Sequence, residues 1–533
     1  MNGVPHGLRS VRRLDHLLDV AALRRPGAEA VTDHSGSATY ADLLKWSCAA
    51  ESWLRGNGVR EGDRVVLRLS ASRQYVALLF GAVRLGAVVV PVSRHLSAFQ
   101  LQAVLDDCVP RLIVVDERES ALPHRWLSAA RSVNELTGLP EAAGADGAAG
   151  EEPQAAVVAR RSASPWSDQP TLLMYTSGST GVPRGVVCTH AQVAFLAQAV
   201  GEVLGYRRDD TVFSCIPLSF DYGLHQIFLS TSVGARLVLA DSFANRHLLR
   251  ELLSAGATVV PIVPTLATAL IRLAGQEAAD HRVRLITNTG EPLSAQQLAS
   301  LRKAFPGVGI VSMYGLTECK RVSVSPVDAD LRFPGTAGLP LPGTTVEIID
   351  EQGLPLPPGR LGQIVVRGPH VMAGYWRAPE ATRDRFRGSG AGRTLYTGDF
   401  GHFDKGGHLH VVGRRDGIFK IRGVRVSTRE IETAALDIPA VTSAVAFPPT
   451  ADRGPALCVA SGGSEQHVRE KLIVRLGAGK MPEVCLVLDE LPINPHGKVD
   501  RQGLLSRLDG HRAIRTDPTA SRAVGSRDGG PRP

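Results

Sequence analysis

Apolar positions along the first third of the chain alternate between two periods. "ATYADLLKWSCAAESWLRGNG" has helical spacing and ends in glycine, a normal helix stop. "DRVVLRL" follows as a strand, "RQYVALLFGAVRLG" as a buried helix and "AVVVPV" as a strand. "AFQLQAVLDDC" then reads as a helix and "RLIVVD" as a strand. Strand–helix alternation predicts an α/β fold with parallel strands. Later short apolar runs, "TVFSCIPLSF", "ARLVLAD", "ATVVPIVPT", "VRLITNTG" and "GIVSMYG", each end in small or polar residues. Open α/β sheets place ligands at such strand ends.

The texture changes near residue 336. "GTTVEIIDEQG", "GQIVVRG" and "GHLHVVGRRDGIFKIRG" are short strands between glycine turns, a more antiparallel region. "STREIETAAL" opens a helix with a capping box, and "ALCVASGG", "EQHVREKLIVRLG" and "EVCLVLDELPI" complete a small α+β module. We expect a large domain over 1–414, with a linker-like insertion at about 141–169 rich in Ala, Gly and Glu. A small domain is expected over 415–508, and a disordered tail over 509–533, where apolar periodicity is lost.

With 533 residues, two or more domains are expected. No apolar run approaches the roughly 18 residues of a membrane span, and the N-terminus lacks a signal-peptide core. The seven cysteines lie far apart without a CxxC pair, so neither a zinc site nor a disulfide framework is expected, and a reducing cytoplasm fits. The net charge of +8 is spread thinly, and aromatics are only 5%. A nucleic-acid surface needs a basic stripe with stacking aromatics, so nucleic acid is not an expected partner. A small anionic substrate explains local basic residues.

"YTSGSTGVPRGV" (175–186) is a dense Gly/Ser/Thr loop after a strand. Its backbone N–H groups and hydroxyls suit phosphate, and glycines permit close approach. It is neither a Walker A loop nor a Rossmann fingerprint.

This loop resembles the phosphate loop of the adenylate-forming superfamily, which holds acyl-CoA synthetases, nonribosomal peptide synthetase adenylation domains and beetle luciferases. Five further segments follow in that superfamily's order: "NTGEP" (288–292), "YGLTE" (314–318), "GYWRAPEAT" (374–382) with "YTGDF" (396–400), "GRRDGIFKIRG" (413–423) and "NPHGKVDR" (494–501). The resemblance spans roughly residues 15–508. It implies a large domain of mixed and parallel sheets with packed helices and a distorted barrel-like region, followed by a small mobile lid. It also implies ATP-dependent conversion of a carboxylic acid to acyl-AMP, with Mg²⁺, then transfer to a thiol.

Residue roles carry over with the motifs. Thr176, Ser177, Gly178, Ser179, Thr180 and Gly181 would cradle the β- and γ-phosphates, with Arg184 where the superfamily usually has Lys. Gly290, Glu291 and Pro292 would contact adenine, with Gly290 also at the acid pocket; Tyr314 would stack against adenine, and Gly315 is placed with the nucleotide contacts. Thr317 would touch the α-phosphate and Glu318 would hold Mg²⁺. Asp399 would take the ribose hydroxyls, and Arg414 is placed with the nucleotide contacts. Lys498 would bridge carboxylate and α-phosphate oxygens. Asp416 matches the hinge, and Lys420 to Gly423 would line the thiol tunnel.

The acid pocket departs from both main branches. "PLSFDYGLHQIF" has Phe220 where many acyl-CoA synthetases carry His. Its Phe220–Asp221 pair resembles amino-acid-activating domains, where the Asp binds the substrate ammonium; an equally good reading is that Asp221 caps a turn or helix. Lys320 and Arg321 follow Glu318, and a cation there could hold a second carboxylate, touch phosphate or face solvent. An amino or β-amino acid is the favoured substrate, and an aryl or short acyl acid the alternative. The tail has no "GGDSL"-like motif, so the thiol is expected from a separate carrier protein's phosphopantetheine or from CoA. A luciferase-like oxygenase would differ only in the pocket. A non-catalytic relative should have lost Lys498, Glu318 or Asp399, and all three are present.

Overall fold

The computed structural model describes residues 13–516, apart from 97, 118–121, 137–167, 178–182, 241–246, 275–279, 415–416, 422–423, 451–452, 478–479 and 495–497. The chain divides into a larger unit ending at Val411 and a smaller one beginning at Val412. Two sheets dominate the larger unit. One has nine strands around a parallel centre, in the order Gly309–Tyr314, Leu285–Asn288, Val259–Ile262, Thr211–Ser214, Arg236–Leu239. The other has seven, in which Val88–Pro91, Arg64–Arg68 and Leu112–Val115 run parallel. Four of these strands, Val88–Pro91, Leu112–Val115, Val259–Ile262 and Leu285–Asn288, are buried along their whole length, which is why the first three are unbroken apolar runs rather than alternating ones. A five-stranded antiparallel sheet, containing Thr345–Ile349, Gly362–Arg367 and Thr394–Phe403, accounts for the changed texture after residue 336.

Helices between strands obey their end signals. The helix Arg73–Leu85 starts under the Ser72 side chain and stops at Gly86 in the left-handed region, and eleven of its residues are buried. Gly81 lies where a Cβ would fall 2.8 Å from the Ser47 carbonyl oxygen, so the helix Tyr40–Gly56 packs directly on its backbone. The helix His190–Leu204 carries a full capping box between Thr189 and Gln192.

In the smaller unit, Val441–Phe447 pairs antiparallel with Ala456–Ser461, which pairs parallel with Val484–Leu488. Helices Thr428–Leu436 and Glu465–Leu476 bury Ile431, Val468 and Leu472 in its core. The last helix, Arg501–Thr516, corrects the expected tail boundary: the chain stays helical over 509–516, and Leu504 and Leu508 anchor the turns before it. A helix already seeded by packing can propagate past its buried turn, since each added residue gains one backbone bond. Both the expected linker core and the tail beyond 516 lie outside the described residues. No helix among the described residues is long and apolar enough to cross a membrane.

Candidate active site

The loop that opens the motif series joins two antiparallel strands, Pro170–Ser177 and Pro183–Thr189, with Thr176 opposite Arg184 and Ser177 opposite Pro183. Gly178, Ser179, Thr180 and Gly181 lie outside the described residues, as does the Ser177 side chain. The hairpin base is pinned from two sides. The Tyr175 hydroxyl donates to the Asp107 carboxylate. On the other edge the segment Met372–Trp376 runs alongside, with the Ala373 N–H donating to the Val187 carbonyl at 2.9 Å and the Trp376 N–H to the Gly185 carbonyl at 2.7 Å. The Arg184 guanidinium lies 5.8 Å from the centre of the Tyr375 ring.

Adjacent parallel strands bring the nucleotide motifs together. Asn288 pairs with Ser312, so "NTGEP" and "YGLTE" leave neighbouring strands at their carboxyl ends. Gly290 adopts φ 91°, a left-handed turn that favours glycine, and the Asn288 side-chain amide donates to the Glu291 carbonyl at 2.8 Å, closing the turn before Pro292. The Tyr314 hydroxyl donates to Asp399 Oδ2 at 2.5 Å, so the residues expected at adenine and ribose meet directly. The Asp399 N–H donates to Thr397 Oγ1 at 3.0 Å, which fixes the carboxylate's approach. Burial and the Asp399 charge both push the Tyr314 phenol well above its ordinary pKa, so it stays protonated and donating.

Glu318 sits two residues past Leu316, half-buried, and its Oε1 accepts the Tyr375 hydroxyl at 2.6 Å. A carboxylate offers about four acceptor directions, so this bond leaves Glu318 able to take a cation. A half-buried carboxylate with acceptor directions to spare fits Mg²⁺, which binds through one or two carboxylates and phosphate oxygens. Thr317 lies beside it, half-buried.

The residues expected at the acid pocket form an ion cluster. Phe220 precedes the helix Asp221–Val233, and Asp221 is its first residue, so the carboxylate does not serve as the helix cap. It pairs instead with the Lys320 ammonium, and the Arg321 guanidinium lies 3.9 Å from its second oxygen. Asp221 is 7% exposed, Lys320 1% and Arg321 3%. Burial alone would raise the Asp221 pKa, but Lys320 and Arg321 outweigh it and hold the carboxyl below its ordinary value. His225, one helical turn on, is pushed down to about 3 by burial and is neutral. One carboxylate against two cations therefore leaves a single buried positive charge. Arg321 Nε is buried with no hydrogen-bond partner among the described residues, and the guanidinium stands 5.0 Å over the Tyr222 ring.

Backbone geometry sets this cluster. Lys320 is one of four non-glycine residues described at positive φ, here 60°, a conformation found more often at functional sites than elsewhere. Gly315 makes the turn possible: a Cβ there would fall 1.9 Å from the Lys320 carbonyl oxygen. Sequence reasoning placed Lys320 and Arg321 near the pocket but missed that Lys320 already occupies Asp221. It also missed the Tyr375–Glu318 bond and His225. The signal available for the first was two adjacent cations, Lys320 and Arg321, followed directly by the strand-like "VSV".

Sequence-predicted residues of the smaller unit are described by themselves. Arg414 ends a strand and is exposed. Asp416 and Gly423 lie outside the described residues; Lys420 pairs with Arg425 in a short hairpin. Asn494 and Lys498 clasp each other: the Lys498 N–H donates to Asn494 Oδ1 at 3.1 Å, and the Asn494 N–H to the Lys498 carbonyl at 2.6 Å.

A model of AMP-binding enzymes matches residues 18–376. The chain belongs to the AMP-binding enzyme family. The 4-hydroxybenzoate/benzoate–CoA ligase of Rhodopseudomonas palustris is 30% identical over 505 residues, covering 90% of each chain. The fatty acid–[acyl-carrier-protein] ligase ScoC of Streptomyces coeruleorubidus is 27% identical, covering 92% of this chain and 96% of ScoC. Among solved structures, VinN in complex with L-aspartate is 38% identical with TM-score 0.64, covering 75% of this chain and 98% of VinN. As an AMP-binding enzyme with such relatives, the chain is an AMP-forming acid ligase with the superfamily's mixed α/β fold.

Proposed function

We propose that this ligase activates an amino diacid of the aspartate type and passes it to a carrier-protein thiol. The observation that carries this reading is the buried Asp221–Lys320–Arg321 cluster. Its net positive charge asks for an anion, and the unpartnered Arg321 Nε supplies a donor for it. A substrate ammonium would share Asp221, and a second substrate carboxylate would answer Lys320 and Arg321. A monocarboxylic amino acid would add a third cation to the cluster, which buried electrostatics disfavour. VinN has been solved with L-aspartate, a molecule carrying both groups.

In the chemical step, an oxygen of the remaining carboxylate attacks the α-phosphorus of ATP. The bond to the β-phosphate oxygen breaks, giving acyl-AMP and pyrophosphate. Charge gathers on phosphate oxygens, so positioned donors and cations do most of the work. Thr176 to Gly181 and Arg184 hold the departing pyrophosphate, Thr317 the α-phosphate, and Lys498 the oxygens between which the bond forms. Tyr314 and Asp399 hold adenosine. Mg²⁺, held through Glu318, supplies charge neutralisation of the phosphates. In the second step the thiol attacks the acyl carbon and AMP leaves. Asp416 then serves as the hinge, and Lys420 to Gly423 line the thiol's path. ScoC, a carrier-protein ligase, supports the carrier acceptor; the benzoate–CoA ligase supports CoA as the alternative.

A second reading has an observation of its own. Lys320 already neutralises Asp221, which leaves Arg321 to bind a diacid lacking an amino group. Arg321→Leu tests both readings through ATP–pyrophosphate exchange. We expect KM for the diacid to rise by at least about tenfold, since a charge-assisted bond is lost, while KM for its half-amide stays put. Equal effects on both would contradict a carboxylate at Arg321.

A further inference from the structure

We propose that Tyr375 is a positioning residue that couples the phosphate hairpin to the metal-binding carboxylate, through its ring on one side and its hydroxyl on the other. The inference rests on the adenylate-forming reading, with Glu318 as metal ligand. Tyr375 is 8% exposed, and its position is fixed by backbone contacts independent of its side chain. It pairs with Val186 on the strand that carries Arg184, and its N–H donates to Thr382 Oγ1 at 2.9 Å. The Phe386 ring meets its edge at 5.5 Å and holds its rotamer. From that seat the ring faces the Arg184 guanidinium at 5.8 Å, within cation–π range. The hydroxyl donates to Glu318 Oε1 at 2.6 Å, and the Met372 N–H from the same segment donates to the Glu318 carbonyl at 2.9 Å.

A buried phenol needs only one acceptor. Here that acceptor is a carboxylate oxygen of the residue that faces the phosphates, 57 positions away in sequence. The bond holds Glu318 in one rotamer before nucleotide arrives, and the charge-assisted pair is short and directional. The Arg184 guanidinium, carried on three methylenes, is kept over the ring instead of exploring solvent. One side chain therefore aligns a phosphate-binding cation and a metal-binding anion.

The two halves separate by substitution. Tyr375→Phe removes the hydroxyl and keeps the ring; Tyr375→Leu removes both. Calorimetric ATP binding is measured for each with Mg²⁺ and with EDTA, alongside thermal unfolding. For Tyr375→Phe we expect the affinity gained from Mg²⁺ to shrink by about tenfold, as for loss of one charge-assisted bond, with ATP affinity in EDTA unchanged. Tyr375→Leu should also weaken binding in EDTA, because Arg184 loses its seat. If Tyr375→Phe weakens ATP binding equally with and without Mg²⁺, or changes neither, the coupling is wrong. If wild-type ATP binding gains nothing from Mg²⁺, the metal role of Glu318 fails first and the proposal falls with it.

Discussion

Asp221 shows how far one buried charge constrains a pocket. Removing one member of a buried ion cluster leaves the others unpaired, which typically costs about 3–5 kcal/mol. Asp221→Ala should therefore both unfold at lower urea and lose exchange with the amino diacid. Asp221→Leu combined with Lys320→Met removes the closest ion pair, leaves Arg321 as the single buried cation and should recover much of the stability but not the exchange; failure to recover it would mean the pair is not the source of the loss. Buried histidines set a second residue-scale effect. His190 accepts the Leu14 N–H on Nδ1 at 3.3 Å, a role only the neutral ring can fill, and burial pushes it down to about 4. His370 is likewise pushed down to about 4 and His225 to about 3. Each folded pKa lies below the unfolded value near 6.5. Their stabilisation is thus complete above pH about 6.5 and is lost as pH falls through that value towards 4. Urea unfolding of the larger unit at pH 7.5 and 5 should show this loss, and His190→Gln should flatten it. A slope unchanged by the substitution would remove His190 from the account.

Elements carry what single residues cannot. The turn after the strand Gly309–Tyr314 places Tyr314 on Asp399, Glu318 on Tyr375 and Lys320 on Asp221 within seven residues. It closes only because Gly315 lacks a Cβ. Gly315→Ala should therefore abolish exchange and lower the melting temperature together, as a backbone clash would; retained activity would show that the turn has slack. The strands and helices around it were legible in the sequence. The apolar run "AVVVPV" marked a strand, the glycine closing "RQYVALLFGAVRLG" a helix end, and the Ser/Thr cap of "STREIETAAL" a helix start. The pairing across the turn was not legible, because Asp221 and Lys320 stand 99 residues apart and only packing brings them together. Nor did lost periodicity after Leu508 predict the helical turns that follow, since helix propagation needs no buried face once begun.

For the molecule as a whole, the motif order announced the family, and the two units keep their motifs apart. The residues expected at nucleotide and acid lie in the larger unit, Arg414 apart, and Lys498 and the proposed hinge residue Asp416 in the smaller. This division predicts separable half-reactions. Asp416→Pro should leave acid-dependent exchange near wild type and block thioester formation from preformed acyl-AMP. Lys498→Ala should do the reverse, with exchange down by at least about a hundredfold, as for loss of a transition-state electrostatic contact. Variants that lose both half-reactions alike would contradict the assignment.

Charge count in the pocket is the centre of the account, and wild-type ATP–pyrophosphate exchange tests it most directly. The panel needs four acids of similar size: aspartate, succinate, asparagine and 2-aminobutyrate. Strong exchange is expected with aspartate, weaker exchange with succinate, and little with the two acids that lack a second carboxylate. Preferential exchange with 2-aminobutyrate or asparagine would contradict it, because a net positive pocket would then be choosing a substrate whose ammonium enters it with no second carboxylate to balance it.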